Sequence, residues 1–147
     1  MPPMFRERGN SRVLPFMTDT RQLEESEMAA SDKRQKIFNE VTSWPGVETQ
    51  PHRFGGIEFL LGKREIGHLH GDSLLDVPFP RKVKEILVAR GEAEEHHVLP
   101  GSGWISYRIH SIDEVDHAVQ LLHRSYELAV ESRTKRIVDG LVTRSKE

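Results

Sequence analysis

The segment covering residues 64–70, Arg-Glu-Ile-Gly-His-Leu-His, places a guanidinium group and two imidazoles close together. If the segment is a β-strand, alternate side chains share a face. That spacing predicts two sets on opposite faces: Arg64, Ile66, His68 and His70 on one, and Glu65, Gly67 and Leu69 on the other. A guanidinium group and imidazoles are costly to bury unless they are hydrogen-bonded or engaged by a ligand. Because a second pair, His96-His97, follows downstream, we predict a functional site in this part of the chain.

Three interpretations of these histidines stay open. In the first, His68 and His70 are structural, either hydrogen-bonded or facing solvent. In the second, they bind a metal, since His-x-His on a strand delivers two imidazoles to one side. The third ligand would then come from a short set of candidates: His97, Asp72, Asp76 or Glu95. In the third, the cluster holds an organic ligand, because arginine pairs with carboxylate or enolate oxygens and histidine acts as a general base.

Composition excludes several other chemistries. The chain has 147 residues and no cysteine, which rules out disulfides, a thiolate nucleophile and a zinc–thiolate site. Ser102 and Ser106 are available as nucleophiles, but there is no G-x-S-x-G elbow, and Gly101-Ser102-Gly103 is better interpreted as a turn. Neither a G-x-G-x-x-G motif nor a P-loop is present. A net charge of −2 provides no general basic field for nucleic acid.

Hydrophobic periodicity and turn residues predict the elements that position the clusters. The predicted order is a helix from a Ser31 cap to Trp44, a hairpin of residues 57–61 and 64–70, a strand at Leu74–Val77, a helix entered through Pro80, a strand at Trp104–Ile109 and a final helix. A capping box at Ser111–Glu114 begins the final helix, whose apolar stripe runs for about 20 residues. In the middle helix, Val83, Ile86 and Leu87 form the apolar stripe and Lys84 faces water.

This order predicts an α+β fold, a small antiparallel sheet packed against helices. We expect one domain at residues 31–132, with a flexible N-terminal tail at residues 1–30 and a basic C-terminal tail at 133–147. Trp104 and Tyr107 are expected to be core and sheet residues rather than stacking platforms. No apolar run approaches the length of about 20 residues that a membrane span needs, and no secretory signal is visible, so a cytoplasmic protein is expected.

Three motifs together resemble the luciferase-domain family, which includes the luciferase of bioluminescent fungi and many small bacterial proteins. They are the R-E-I-x-H-x-H block at residues 64–70, Asp-Val-Pro-Phe-Pro at 76–80, and His-His-Val-Leu-Pro at 96–100 followed by Trp104. The similarity covers about residues 35 to 130, and the first block is its most specific part. The Pro-Phe-Pro and Gly-Ser-Gly segments look like the bacterial branch, and the long N-terminal region of the fungal enzyme, with its membrane anchor, has no counterpart here.

The resemblance implies an oxygenase-like reaction, which would make the protein an oxidoreductase. The fungal enzyme adds O₂ to a hydroxylated pyrone without a recognised metal or flavin, and loss of CO₂ follows. By analogy, a base among His68, His70 and His97 would deprotonate an enol, and Arg64 would hold the oxyanion. The implied substrate-binding set is Arg64, Glu65, Asp76, His96 and Trp104. No cofactor is predicted; if a metal is bound, the expected ligands are His68, His70 and His97.

A second resemblance concerns the order of elements, which is similar to that of small proteins of the MmcQ/YjbR type. The matching positions are Pro45-Gly46-Val47-Glu48, Trp104 and Ser125-Tyr126. Proteins of that type have been proposed to bind DNA. The alternative function is therefore a non-catalytic interaction module, with nucleic acid as the partner to be tested. The expected partner is a small molecule; neither a membrane nor nucleic acid is expected as a partner, and the oligomeric state stays open.

Overall fold

The computed structural model describes residues 32–146, with side chains described through residue 143. Six antiparallel strands form one sheet in the order β1-β2-β3-β4-β6-β5. The strands are β1 (Val47–His52), β2 (Gly56–Leu61), β3 (Arg64–His70), β4 (Leu74–Pro78), β5 (Glu94–Glu95) and β6 (Trp104–Arg108). The helices are α1 (residues 32–42), α2 (Arg81–Ala89) and α3 (Val115–Lys146). This architecture confirms the predicted α+β class.

One face of the sheet carries the core. Fully buried apolar side chains from four neighbouring strands belong to it: Phe59, Leu69, Leu75, Val77 and Ile105. Helix α3 packs over β3 and β4, and its own Leu122 is fully buried. Gly67 makes this approach close, because a Cβ at that position would lie 2.7 Å from Leu122 Cδ2.

The opposite face carries polar groups in register across the strands. Neighbouring strands align Glu58 with His68, His68 with Asp76, and Asp76 with Ser106. The row continues to Gln50 on β1 and Glu94 on β5. Since side chains at register partners lie side by side on one face, the fold itself assembles a polar row that the separate sequence segments do not reveal.

A β-bulge interrupts the pairing of β2 with β3. Phe59 pairs with Gly67 and Leu60 with Glu65, so Ile66 has no register partner on β2. The buried hydroxyl of Ser125 on α3 donates to the Ile66 carbonyl at 2.8 Å. A bulge changes which face the preceding residues occupy. The predicted strict alternation is therefore wrong for Glu65, whose carboxylate hydrogen-bonds His68 on the polar face.

Helix α2 differs from its predicted orientation. Lys84, predicted to face water, is buried at 6% exposure, whereas Ile86, predicted in the apolar stripe, is 52% exposed. The Lys84 ammonium donates to the Pro100 carbonyl at 2.7 Å and forms an ion pair with Glu95. A lysine can be buried when its charged end is paired in this way.

Several boundaries also differ from prediction. Strands β1 and β5 were not predicted, and α3 has 32 residues because it continues beyond Arg133 to Lys146. Ser111 makes no side-chain capping hydrogen bond; instead Glu114 accepts one from the His110 amide at 2.6 Å. The predicted Ser31 cap and the tail at residues 1–30 lie outside the described range. Among the described helices, none combines the length and the apolar character that crossing a membrane requires.

Candidate functional site

The carboxylate of Asp76 is the centre of the candidate site. Its Oδ2 atom lies 3.0 Å from His70 Nε2, 3.1 Å from His97 Nε2 and 3.2 Å from His68 Nε2. His96 Nε2 is 3.3 Å away. The other oxygen, Oδ1, accepts a 2.7 Å hydrogen bond from Ser106. Asp76 is fully buried, so the two histidine clusters predicted from sequence meet around one buried carboxylate.

Two strands and one loop position these groups. His68 and His70 lie on β3, and Asp76 lies on the neighbouring strand β4. The segment of residues 96–103, which we call the histidine loop, brings His96 and His97 over them. Lys84 anchors this loop through the Pro100 carbonyl.

The far end of the histidine loop is packed against the entry to α2. The Phe79 amide donates to the Gly103 carbonyl at 3.1 Å. A Cβ on Gly103 would lie 2.0 Å from the Phe79 carbonyl oxygen, a clash that only glycine avoids. The histidine loop is thus held in place by contacts at Pro100 and at Gly103.

Hydrogen bonds orient two of the imidazoles. The Nδ1 atom of His68 is 2.6 Å from Glu65 Oε2, so it donates its proton there and its Nε2 faces Asp76. The Nδ1 atom of His96 accepts from the amides of Val98 and Leu99, which leaves the proton on Nε2, directed at Asp76. His68 therefore presents a lone pair or a second proton to the cluster, whereas neutral His96 presents a donor.

Burial and pairing shift the pKa values in different directions. Burial alone would lower the pKa of His68, but hydrogen bonds to Asp76 and Glu65 outweigh it and raise that pKa to about 9. Burial would raise the pKa of Asp76, yet hydrogen bonds from His68, Ser106 and His97 hold it well below its usual range. Burial lowers the pKa of His70 and of His96. The cluster thus contains a carboxylate, a strongly basic imidazole and weakly basic ones.

Two aromatic rings border the cluster. His52, on β1, stacks on His68 with ring centroids 4.0 Å apart, and its Nδ1 lies 3.2 Å from Glu58 Oε1. Trp104 is half-buried, with its ring centroid 5.3 Å from that of His68 and 5.9 Å from that of His96. Tyr107, by contrast, packs against the core. Trp104 therefore lies beside the site, whereas its strand pattern predicted a core residue.

Other residues singled out from the sequence lie elsewhere. The Arg64 side chain makes no hydrogen bond or ion pair with any group described for residues 32–143. Asp72 pairs with Lys33, and Glu95 with Lys84, so neither joins the cluster. Ser106 is buried and bonded to Asp76, which removes it as an accessible nucleophile.

Sequence reasoning missed two members of the site. His52 lies on β1, which was not predicted because Pro51 is unusual within a strand. Ser106 was named only as an available nucleophile, because its pairing with Asp76 depends on the β4–β6 register. The sequence signal that could have identified His52 is the alternation along β1, which places Gln50 and His52 on one side.

The arrangement offers two kinds of chemistry. Imidazoles beside carboxylates can transfer protons to and from a ligand. They can also bind a cation: the ligand atoms of His70, Asp76 and His97 all lie within 4.8 Å of one another, as do those of His52, His68 and His70. The most exposed members of the cluster are His70 and His97, whose side chains are 29% and 34% accessible.

Comparison with known proteins identifies one family. The family model described as Luciferase domain matches residues 63–125, a span that contains β3, β4, the histidine loop and the first part of α3. The match confirms the relationship predicted from the R-E-I-x-H-x-H block. No curated protein matches the chain, and neither does any solved structure. The MmcQ/YjbR-like order of elements stays a prediction.

Proposed function

We propose that this protein, which carries a luciferase-domain match at residues 63–125, binds a small oxygenated organic molecule at the cluster around Asp76. The ligand class is an enol, such as a hydroxylated pyrone, that becomes reactive towards O₂ when it loses its proton. The resemblance to the fungal luciferase supports the reaction class, and the geometry supports the residues. The non-catalytic alternative, including nucleic-acid binding, is not favoured by any comparison.

The observation that carries this proposal is the convergence of four imidazoles on one buried carboxylate. A buried polar group normally has only a few hydrogen-bond partners. Groups with perturbed pKa values, moreover, are concentrated at functional sites. Of the four imidazoles, those of His70 and His97 are the most exposed, whereas Asp76 and its partner Ser106 are buried. A ligand entering from solvent would meet His70 and His97 first.

His68 is the residue to which we assign proton transfer. Glu65 accepts a hydrogen bond from the Nδ1 proton, so the neutral ring, which forms as the pH rises through its pKa of about 9, presents the Nε2 lone pair to the cluster. After Nε2 takes the enol proton, the imidazolium lies between the carboxylates of Glu65 and Asp76, which stabilise its charge. Trp104 provides a flat wall against which a planar ring could stack. Arg64, expected to hold the oxyanion, has no part in this assignment.

The test is O₂ consumption in the presence of hydroxylated pyrones, measured with an oxygen electrode. General acid–base catalysis contributes about 100-fold to 10,000-fold, so we expect His68→Ala to lower the rate at least about 100-fold. The matched control is His110→Ala, since the His110 side chain is 75% accessible and contacts Glu114, which is outside the cluster.

Both variants are first compared with the wild type by circular dichroism and thermal unfolding, so that a lost rate is not lost structure. Equal rates for the wild type and His68→Ala would overturn the assignment. Absence of any pyrone-dependent O₂ consumption by the wild type would overturn the proposed reaction.

A further inference from the structure

We infer that His70, Asp76 and His97 form a binding site for one divalent first-row transition metal ion. This goes beyond the proposed function, because it concerns a cation rather than an organic ligand. Two imidazoles and one carboxylate make the ligand set that suits non-haem Fe(II) and related ions, with coordination positions left open. The two histidines come from different parts of the chain, β3 and the histidine loop, and both direct Nε2 at the same oxygen.

The number of donors around Asp76 Oδ2 is the first argument. A carboxylate offers about four lone-pair sites, about two on each oxygen. Oδ2 nevertheless has four imidazole nitrogens within 3.3 Å, while Oδ1 is already engaged by Ser106. Hydrogen bonding alone leaves two nitrogens without a suitable acceptor. A cation bound between these nitrogens would coordinate their lone pairs, so the nitrogens would not need a hydrogen-bond acceptor.

The distances are the second argument. Two ligand atoms that are each about 2.1 Å from a metal, and at right angles to one another, lie about 3.0 Å apart. The separations from Asp76 Oδ2 to His70 Nε2 and to His97 Nε2 are 3.0 and 3.1 Å. Both therefore have the length of an octahedral edge.

Orientation of the carboxylate is the third argument. Ser106 donates to Oδ1, and His96 Nε2, which carries the proton of the neutral ring, lies 3.3 Å from Oδ2. Groups that fix a ligating carboxylate in this way are typical of metal sites. The two backbone hydrogen bonds to His96 Nδ1 also exclude His96 as a metal ligand, because they leave its proton on Nε2.

The neighbouring group of His52, His68 and His70 fits a metal less well. It has no carboxylate to offset the cation's charge, and His52 is engaged by Glu58 and stacked on His68. The assignment to His70, Asp76 and His97 leaves His68, with its Glu65 partner, for proton transfer. Open positions on the metal would be available to an enolate oxygen of a bound ligand.

Co(II) is a suitable probe, because its visible absorption reports its ligands. Untagged protein is stripped with a chelator, titrated with Co(II) without organic ligand, and assayed for bound metal after equilibrium dialysis. We expect one Co(II) per chain, with affinity at least about 10-fold weaker in His70→Ala and in His97→Ala. The control His123→Ala, a half-exposed histidine on α3, should bind like the wild type.

His97 lies on a loop and is one-third accessible, so its replacement tests the site even if a variant at Asp76 fails to fold. Absence of Co(II) binding, or equal binding by the wild type, His70→Ala and His97→Ala, would overturn the inference. So would a loss in His52→Ala that exceeds the loss in His97→Ala. Pyrone binding by metal-free protein would still be possible in each of these cases, so the two proposals fail separately.

Discussion

The charge of His68 makes the stability of the metal-free protein depend on pH. Its pKa is raised from 6.5 to about 9, and its side chain is only 10% accessible, so solvent screens little of the effect. A shift of this size corresponds to about 3 kcal/mol. Because the folded-state pKa is the higher one, this stabilisation is fully present below pH 6.5 and is lost as the pH rises through about 9.

The assay is urea unfolding of chelator-treated protein, followed by tryptophan fluorescence, at a series of pH values from about 6 to about 10. We expect the wild-type free energy of unfolding to fall by about 3 kcal/mol across this range. In His68→Gln, which has no titrating group at this position, most of the fall should disappear. A wild-type free energy that is constant or rises with pH would refute the account of His68 as the imidazolium between Glu65 and Asp76.

Three further substitutions test how the fold supports the site. Leu122→Ala should lower the free energy of unfolding by about 2–5 kcal/mol, because Leu122 is fully buried against the sheet; an unchanged urea midpoint would mean that α3 packs through another face. Ser125→Ala should cost about 1–3 kcal/mol in the same measurement, since it leaves the bulge carbonyl of Ile66 without its donor; a neutral effect would contradict that role. Gly103→Ala should weaken Co(II) binding and lower the melting temperature, because the new methyl group would displace the histidine loop; wild-type affinity would show that the loop position does not matter.

Much of the fold was predictable because it depends on local patterns. The hairpin of β2 and β3, the strand at Trp104 and the long helix α3 all follow from alternation, turn residues and an apolar stripe. Lys84 shows where local patterns fail: its burial depends on a carbonyl and a carboxylate supplied by residues 11 and 16 positions further along, Glu95 and Pro100. Helix periodicity contains no information about such partners.

Most members of the candidate site were predictable from the sequence, but His52 and the arrangement of the site were not. The sequence identified both histidine pairs and four candidates for a third ligand, yet only strand register decides between Asp72 and Asp76. The bulge at Ile66 likewise moved Glu65 to the histidine face. Neither register nor a bulge is encoded in a short segment, since both depend on pairing with another strand.

Direct titration of a ligand tests whether the cluster around Asp76 binds a small enolic molecule. Triacetic acid lactone, a hydroxylated pyrone, is titrated into the wild type, His68→Ala and His110→Ala, and ultraviolet difference spectra report binding. We expect a saturable signal with one ligand per chain in the wild type and in His110→Ala, and its loss in His68→Ala. An equal signal in all three proteins, or none in the wild type, would contradict the proposed function.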